Sequence, residues 1–463
     1  MLDFGKVPDI VVFMKRNFLL INPWIYDFAA YDFWIKPLGL LYLAGLLRKN
    51  GHDVHLIDCL NPAHPEMKNE AHIKPPKRKP WGNGKYPKEN IPKPEPLTNI
   101  PKKYNRYGIT PRIFIKELLK IRRPDLVFVT SMMTYWYPGV FEAIQVIRET
   151  LPGIPIVLGG NYVTLCPSHA SENSGADFTV TGEGERSIPA LLKDIFGDDP
   201  QFTVDVNDLD SYPYPAFDLM PDKNQVPILT SKGCPYRCTY CASHILNNGF
   251  RKRDPIKVVD EIEYWNKHYG ITNFSFYDDA LLIGSDERAI IMLKEIVKRK
   301  LMCSFHCPNG LHLREITEEI SILLFRTGFK TIRFGLETSS VKRQMETGGK
   351  ITNEELIDAV IHLKRAGYRS RDIGIYILCG LPGQTASEVR ESINFVKSCG
   401  ARPIIAEFSP IPGILIWEES VKESPYNISE EPLYHNNSIL PCQGEKLTYE
   451  MYRELKVLAR TST

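Results

Sequence analysis

The chain has 463 residues, of which 43% are hydrophobic and 24% charged, and its formal net charge is +2. These values are ordinary for a globular protein, predict two or three domains, and give no reason to expect a nucleic acid or a membrane surface as partner. No secretory signal is evident, and the most apolar run, Trp34 to Leu47, is too short to span a bilayer. We therefore expect a cytoplasmic protein without a membrane span.

The first 196 residues alternate short apolar strands with helical patterns. The predicted strands are 18–22, 53–58, 126–131, 154–160 and 178–183, and the clearest predicted helices are 139–150 and 185–196. Near-continuous apolar strands that alternate with helices are typical of a doubly wound parallel sheet. We expect an α/β domain of this type over residues 1–196.

A long insertion, residues 61–110, interrupts this domain. From Lys74 to Arg106 it holds ten Lys or Arg residues, two Glu and eight prolines, without a periodic apolar pattern. Two interpretations remain open: a solvated, partly extended loop, or a basic flap that closes over a cofactor or an anionic substrate. The interleaved aromatic residues favour the flap, since disordered segments are usually poor in aromatics.

A linker, residues 197–225, leads to a second series of β/α units. The predicted strands are 226–231, 273–277, 303–307, 331–335, 374–378 and 404–408, and the predicted helices are 254–269, 286–300, 317–327, 353–366 and 386–398. Six units are too few for a closed eight-stranded barrel, so we expect a partial (β/α)6 barrel over residues 226–415. The remaining tail, 416–463, has one predicted helix at 448–458.

Three of the ten cysteines form a motif directly after the first strand of this second series. Cys234, Cys238 and Cys241 have the spacing C-x3-C-x2-C, which lets their thiolates converge on one metal centre. Three cysteines without a fourth suit a [4Fe–4S] cluster in which one iron keeps an open position. A zinc site that uses His244 as fourth ligand is the alternative. The other seven cysteines have no convincing ligand spacing, and we expect them to be reduced and buried.

This loop resembles that of the radical S-adenosylmethionine (SAM) superfamily, whose C-x3-C-x-aromatic-C pattern matches Cys234, Cys238, Tyr240 and Cys241. The resemblance implies that the open iron binds SAM and that one electron then cleaves SAM to a 5′-deoxyadenosyl radical. Tyr240 would pack near the adenine, and a one-electron reductant such as flavodoxin or ferredoxin would be a partner. The six β/α units strengthen the resemblance, because this superfamily uses a partial barrel.

Four further motifs at the ends of predicted barrel strands are similar to the SAM-binding motifs of that family. They are FYDDA, an Asn-Gly pair, GLET and GLPGQT, which follow the second to fifth strands in turn. The SAM contacts that the resemblance implies are Asp278, Asp279, Asn309, Glu337, Gly380 and Leu381. Barrel enzymes place their active sites at these carboxyl ends of strands.

The first domain resembles the Rossmann-like cobalamin-binding domain that precedes the barrel in one large radical SAM subgroup. The cobalamin contacts that this resemblance implies are Thr130, Ser131, Gly159, Gly160, Asn161, Gly182, Glu183 and Gly184. Small residues at the carboxyl ends of parallel strands leave room for a flat macrocycle, so we expect Gly160→Val to weaken binding. Since no D-x-H-x-x-G loop follows the first strand, the resemblance implies base-off cobalamin without a histidine on cobalt.

The two resemblances together imply a methyltransferase that acts on an unactivated carbon of a small-molecule substrate, with methylcobalamin as methyl donor. A cobalamin-dependent radical cyclase or rearrangement enzyme is the alternative. A non-catalytic cobalamin sensor is a third hypothesis, which the complete cysteine triad disfavours. A tRNA methylthiotransferase would carry a second cysteine set and an RNA-binding β-barrel, and neither is visible in the sequence.

Overall fold

A computed structural model describes residues 14–197, 204–285 and 287–461 of the chain. Part of the predicted linker, residues 198–203, lies outside the described residues, as does Asp286 at the start of a predicted helix. Two parallel sheets organise the described residues, one of five strands and one of six.

The described residues of the first half of the chain contain eight strands and six α-helices. The strands are β1 (Asn17–Asn22), β2 (Ile25–Asp27), β3 (Asp53–Asp58), β4 (Lys88–Asn90), β5 (Asn105–Tyr107), β6 (Leu126–Val129), β7 (Ile156–Gly159) and β8 (Phe178–Val180). The helices are α1 (Leu38–Lys49), α2 (Pro111–Lys120), α3 (Tyr137–Thr150), α4 (Asn161–Leu165), α5 (Pro167–Asn173) and α6 (Gly184–Phe196).

The five-stranded sheet has the order β3-β1-β6-β7-β8, and every pairing in it is parallel. Side chains alternate along β1: Phe18 and Leu20 pack with α1 and α6, whereas Leu19 and Ile21 pack with α2 and α3. Helices therefore cover both faces, and the expected doubly wound sheet is confirmed.

The insertion is folded, with β4 and β5 joining β2 in a three-stranded antiparallel sheet of order β2-β5-β4. Tyr86, Tyr104 and Tyr107 are buried, and the ring of Trp81 lies 5.4 Å from that of His306 in the barrel. The interpretation as a solvated loop is therefore wrong. The sequence could not reveal this, because the partners of these aromatic residues lie in β2 and in the barrel, far along the chain.

The second half contains eight further strands and nine helices among the described residues. The strands are β9 (Val226–Ile228), β10 (Ser231–Lys232), β11 (Arg251–Lys252), β12 (Asn273–Phe276), β13 (Ser304–His306), β14 (Phe329–Glu337), β15 (Ile373–Cys379) and β16 (Arg402–Glu407). The helices are α7 (Ser243–Leu246), α8 (Pro255–Tyr269), α9 (Ala289–Lys298), α10 (Glu318–Thr327), α11 (Val341–Glu346), α12 (Asn353–Ala366), α13 (Ala386–Ser398), α14 (Trp417–Glu423) and α15 (Tyr449–Arg460).

Six of these strands form a parallel sheet in the order β9-β12-β13-β14-β15-β16. In the described part of the chain no pairing joins β9 to β16, so the barrel is open on one side. Each of the six predicted strands corresponds to one of them, and the partial (β/α)6 barrel is confirmed. The helices that follow the strands pack on the outer face of the sheet in one continuous hydrophobic core.

The tail after the barrel packs between the two halves. Leu433 and Ile439 belong to the same hydrophobic cluster as α2 and α3. The Asn436 amide donates to Asp27 Oδ1 at 2.8 Å, and His435 Nδ1 lies 2.9 Å from Thr134 Oγ1. The tail therefore helps to fix the first domain relative to the barrel. No helix in the described ranges is both long and apolar enough to cross a membrane.

Candidate active site between the two domains

The three cysteines lie on one loop between β10 and α7. Cys238 is buried, Cys234 and Cys241 are half-buried, and burial raises the pKa of all three thiols. The Ser243 backbone N–H donates to Cys241 Sγ at 3.4 Å. Among the described residues, no three His, Cys, Asp or Glu side chains converge on a single ion. A tetrahedral zinc site needs its ligands to converge on one ion, whereas a cubane takes each thiolate on a different iron.

Two glycines allow other backbone segments to approach the cysteine loop closely. Gly233 has a φ of +79°, and a Cβ there would lie 2.2 Å from the carbonyl oxygen of Gly249. A Cβ on Gly348 would lie 3.2 Å from the Cα of Cys238. Only glycine fits such positions, because it has no side chain and can adopt a positive φ. The two glycines therefore help to determine the geometry of the loop.

Hydrogen bonds brace the same loop at its centre. The Thr239 N–H donates to the Thr347 carbonyl at 3.3 Å, and the Thr239 carbonyl accepts the Ile416 N–H at 3.2 Å. The next residue, Tyr240, is half-buried, and its hydroxyl interacts with the thiol of Cys238. Segments that follow β14 and β16 therefore hold the loop against the barrel.

Glu337 and Lys350 form an ion pair beside this loop. Glu337 ends β14 with a φ of +69°, a left-handed conformation that is uncommon outside glycine. Its carboxylate lies over Gly335, where a Cβ would be 2.2 Å from Glu337 Oε1. Lys350 Nζ lies 3.4 Å from the same oxygen. The glycine of the GLET motif thus leaves the space that the glutamate carboxylate occupies.

The two aspartates after β12 have different surroundings. Asp278 is buried and accepts hydrogen bonds from the Thr230 N–H, the Thr230 hydroxyl and, at 2.7 Å, the Ser231 hydroxyl. Asp279 Oδ2 accepts the Ser243 hydroxyl at 2.5 Å, just after the cysteine loop. Burial raises the pKa of both carboxyl groups. Asp278 therefore fixes the strand end that precedes the loop, while Asp279 adjoins the loop itself.

The remaining predicted SAM residues also lie at the carboxyl ends of barrel strands. Asn309 donates its amide to the Tyr277 carbonyl at 3.0 Å. Gly380 has a φ of +97°, and the N–H groups of Gly380 and Leu381 donate to Gln384 Oε1 at 2.8 and 3.3 Å. The GLPGQT turn is therefore closed by its own glutamine, which accepts both of these backbone N–H groups.

An open cleft lies between the carboxyl edge of the first sheet and the barrel. It is lined by all eight predicted cobalamin residues: Thr130, Ser131, Gly159, Gly160, Asn161, Gly182, Glu183 and Gly184. The barrel contributes Lys232, Leu246, Asn247 and Tyr277 to the lining. Counted out to open solvent, its space is about 1530 Å³, and within the described chain its lining includes no histidine. The cleft is therefore open to solvent and lined by residues of both domains.

The four glycines of this cleft that were predicted to contact cobalamin have two different roles. Gly160 has a φ of +100°, and a Cβ there would lie 2.2 Å from the Ser131 carbonyl oxygen. Around Gly159, Gly182 and Gly184, by contrast, an added Cβ would meet no atom closer than 3.6 Å. The expected reason for a Gly160→Val effect is therefore wrong: the valine would disrupt the contact between two strand ends before it met a ligand.

Sequence reasoning missed the ion pairs that join the two domains at the edge of this cleft. Glu183 pairs with Arg186 at 2.8 Å and also with Arg251, while Glu185 pairs with Lys232 at 2.9 Å. Lys232 and Arg251 lie in the hairpin strands β10 and β11, on either side of the cysteine loop. The sequence does show two acidic residues in TGEGE and two basic residues that flank the cysteine motif. No local pattern indicates which acidic residue pairs with which basic one.

Two family models match the chain where these two sites lie. The model described as the radical SAM superfamily matches residues 228–396, and the one described as the B12 binding domain matches residues 110–192. The chain is a cobalamin-binding radical SAM enzyme. These domains assign it SAM, a [4Fe–4S] cluster and cobalamin as cofactors, as the sequence predicted.

Curated relatives of this radical SAM enzyme include an uncharacterized methyltransferase of Pyrococcus horikoshii, 27% identical over 83% of this chain and 78% of the relative. The cytidylyl-2-hydroxyethylphosphonate methyltransferase of Streptomyces wedmorensis is 21% identical over 86% and 80% of the two chains. The anaerobic magnesium-protoporphyrin IX monomethyl ester cyclase of Rubrivivax gelatinosus is 25% identical over 61% and 56%.

Among solved structures, the fold is similar to that of the radical SAM methyltransferase TsrM from Kitasatospora setae, with a TM-score of 0.64 and 17% identity. The match covers 92% of this chain and 83% of TsrM, whose structure holds tryptophan and a SAM analogue. At this identity the similarity establishes the fold alone.

Proposed function

We propose that this enzyme transfers a methyl group to a carbon atom of a small-molecule substrate bound between the cleft and the cysteine loop. The observation that carries the proposal is that one cleft is lined both by the predicted cobalamin residues and by Lys232 and Asn247, which flank the cysteine motif. When bound, the cluster and SAM supply a 5′-deoxyadenosyl radical, and cobalamin supplies the methyl carrier. The two relatives with methyltransferase names, each matched over most of both chains, support this reaction.

We propose that SAM is bound by polar residues around the cysteine loop and by the ends of the barrel strands. Asp279 and Glu337 adjoin the loop and can accept hydrogen bonds from the SAM ammonium group or ribose. Tyr240, Asn309, Gly380 and Leu381 are proposed to border the nucleoside. Asp278 acts indirectly in this proposal, because Thr230 and Ser231 already engage its oxygens.

For cobalamin, we propose the base-off form without a protein nitrogen on cobalt. The absence of histidine from the described lining of the cleft supports this form. Thr130, Ser131, Asn161 and Gly182 are proposed to contact the corrin and its side chains, and Gly159 and Gly184 to leave room for them. Glu183 has its carboxylate engaged by Arg186 and Arg251, so we propose that it contacts cobalamin only through its backbone.

A cobalamin-dependent radical cyclase is the second candidate, and the Rubrivivax relative supports it. Turnover of the anaerobically reconstituted enzyme with methyl-labelled SAM and extract of the source cell separates the two reactions. A methyltransferase yields a product that carries the labelled methyl group, whereas a cyclase yields 5′-deoxyadenosine and an unlabelled product. A Cys238→Ala variant under the same conditions is the control for label that arrives by any other route.

A further inference from the structure

A nearly buried cation, Lys350, lies beside the cysteine loop on the turn between α11 and α12. Its side chain is 19% exposed. Two residues earlier, Gly348 approaches the backbone of Cys238, and one residue before that the Thr347 carbonyl accepts the Thr239 N–H at 3.3 Å. These contacts fix the position of the Lys350 backbone relative to the thiols.

The charges around Lys350 keep it protonated. Glu337 is its ion-pair partner in the described structure, at 3.4 Å. Burial opposes the charged form, but the paired Glu337 carboxylate outweighs it and raises the pKa of Lys350. A positive charge therefore persists at physiological pH on the turn whose Gly348 contacts the Cys238 backbone.

We propose that Lys350 is the counter-cation of the iron–sulfur cluster and stabilises its reduced form. The inference rests on the proposed function only in taking the cysteine triad as the cluster site. Reduction transfers one electron from a flavodoxin- or ferredoxin-type donor, which becomes oxidised by one electron, and makes the cluster site one unit more negative. A fixed ammonium group that is poorly screened by water lowers the free energy of that added charge.

The same geometry gives Glu337 the opposite effect. Its carboxylate is paired with the Lys350 ammonium at 3.4 Å and partly cancels the field of that charge, so removing the carboxylate charge favours reduction. The two members of one ion pair should therefore shift the cluster potential in opposite directions. A purely structural role for the pair would not produce shifts of opposite sign.

The test is an anaerobic redox titration of the reconstituted cluster, followed by electron paramagnetic resonance, without SAM. Lys350→Met should make the equilibrium constant for reduction about tenfold smaller, a shift of about 59 mV to lower potential for one electron. Lys350→Arg should retain the native potential, and Glu337→Gln should raise it. Lys342→Met, which removes a cation that is 86% exposed on α11, is the matched control and should leave the potential unchanged.

A native potential in Lys350→Met protein that still holds its iron would overturn the inference. So would a shift that arises only after SAM is added, because Lys350 would then bind the SAM carboxylate. If Lys350→Met fails to hold iron, Glu337→Gln remains an independent test, and a lowered or unchanged potential in that variant contradicts the proposal. Failure of the wild-type chain to bind iron would instead refute the cluster site, so the two failures are distinguishable.

Discussion

The cysteine loop and the cobalamin cleft both depend on glycine, but for opposite reasons. Around the cysteine loop, Gly233 and Gly348 lie against backbone atoms of other segments, so their missing side chains let the protein close on itself. In the cleft, a Cβ on Gly159 or Gly184 would meet described atoms only at ordinary contact distances, and one on Gly182 would meet no described atom within 4 Å. The first kind of glycine builds a geometry without a ligand, and the second kind leaves room for one.

Gly160 shows that the two kinds can be adjacent in sequence. It lines the cleft, yet a Cβ there would clash with the Ser131 carbonyl, and its φ is +100°. By its contacts it belongs with the glycines of the cysteine loop. Substitutions that compare glycines of the two kinds therefore separate folding from ligand binding.

The largest effect is expected at the cysteines. Cys234→Ala, Cys238→Ala or Cys241→Ala should each abolish formation of 5′-deoxyadenosine from SAM, because the cluster would lose a ligand. The measurement is the rate of 5′-deoxyadenosine release by anaerobically reconstituted protein with a chemical reductant. Cys399→Ala, half-buried at the end of α13, should cleave SAM at the native rate. Native-rate cleavage by a triad variant would exclude the triad as the cluster site.

The next largest effect is expected for Gly160→Val. The left-handed φ alone costs about 1–3 kcal/mol for a non-glycine residue, and the clash with Ser131 adds to that cost. We therefore expect the free energy of unfolding to fall by about 3 kcal/mol or more in protein without cobalamin. Chemical denaturation of the ligand-free chain measures it. Native stability with weakened cobalamin binding would mean that the corrin, rather than the fold, requires this glycine.

Gly159→Val, one residue earlier, should have the complementary effect. Its backbone conformation is open to any residue, and the nearest atom to a new Cβ is 3.6 Å away, so the fold should tolerate valine. The added side chain would enter the cleft and weaken cobalamin binding by about tenfold or more. Equilibrium dialysis measures the cobalamin affinity, and the melting temperature of the ligand-free variant shows whether the fold tolerates valine. Unchanged affinity would remove Gly159 from the corrin site.

A smaller effect is expected in the insertion. Lys88 lies in β4, and the Lys85 N–H donates to the Lys77 carbonyl at 3.0 Å, so cleavage after either lysine requires local unfolding. Trypsin should therefore cut these sites slowly even without cobalamin and SAM. Mass spectrometry of timed digests measures the rates. Fast cleavage that only ligands suppress would favour a flap that folds on binding.

Much of the fold was predictable because it depends on local patterns. Every strand of both parallel sheets was predicted, since each is a short apolar run bounded by turn residues. All eight predicted cobalamin residues meet in one cleft because each follows a strand, and parallel strands end at the same edge. An apolar run and a position at the end of a strand can both be read locally, so these predictions required no information about distant partners.

Contacts between distant segments could not be predicted. Glu183 meets Arg251, which is 68 residues away, and the sequence gives no sign of that pairing. Gly160 was misjudged for the same reason, since the Ser131 carbonyl that decides its role belongs to another segment. The role of Asp278 also depends on Thr230 and Ser231, 48 and 47 residues earlier.

The central claim is that one chain carries two separate cofactor sites, one at the cysteine loop and one in the cleft. Iron and cobalamin contents after anaerobic reconstitution test it most directly in the wild type, Cys238→Ala and Gly159→Val. The account predicts about four irons and one cobalamin in the wild type, loss of iron alone in Cys238→Ala, and a lowered cobalamin content with native iron in Gly159→Val. Loss of both cofactors in either variant, or a wild-type chain that binds only one of them, would contradict it.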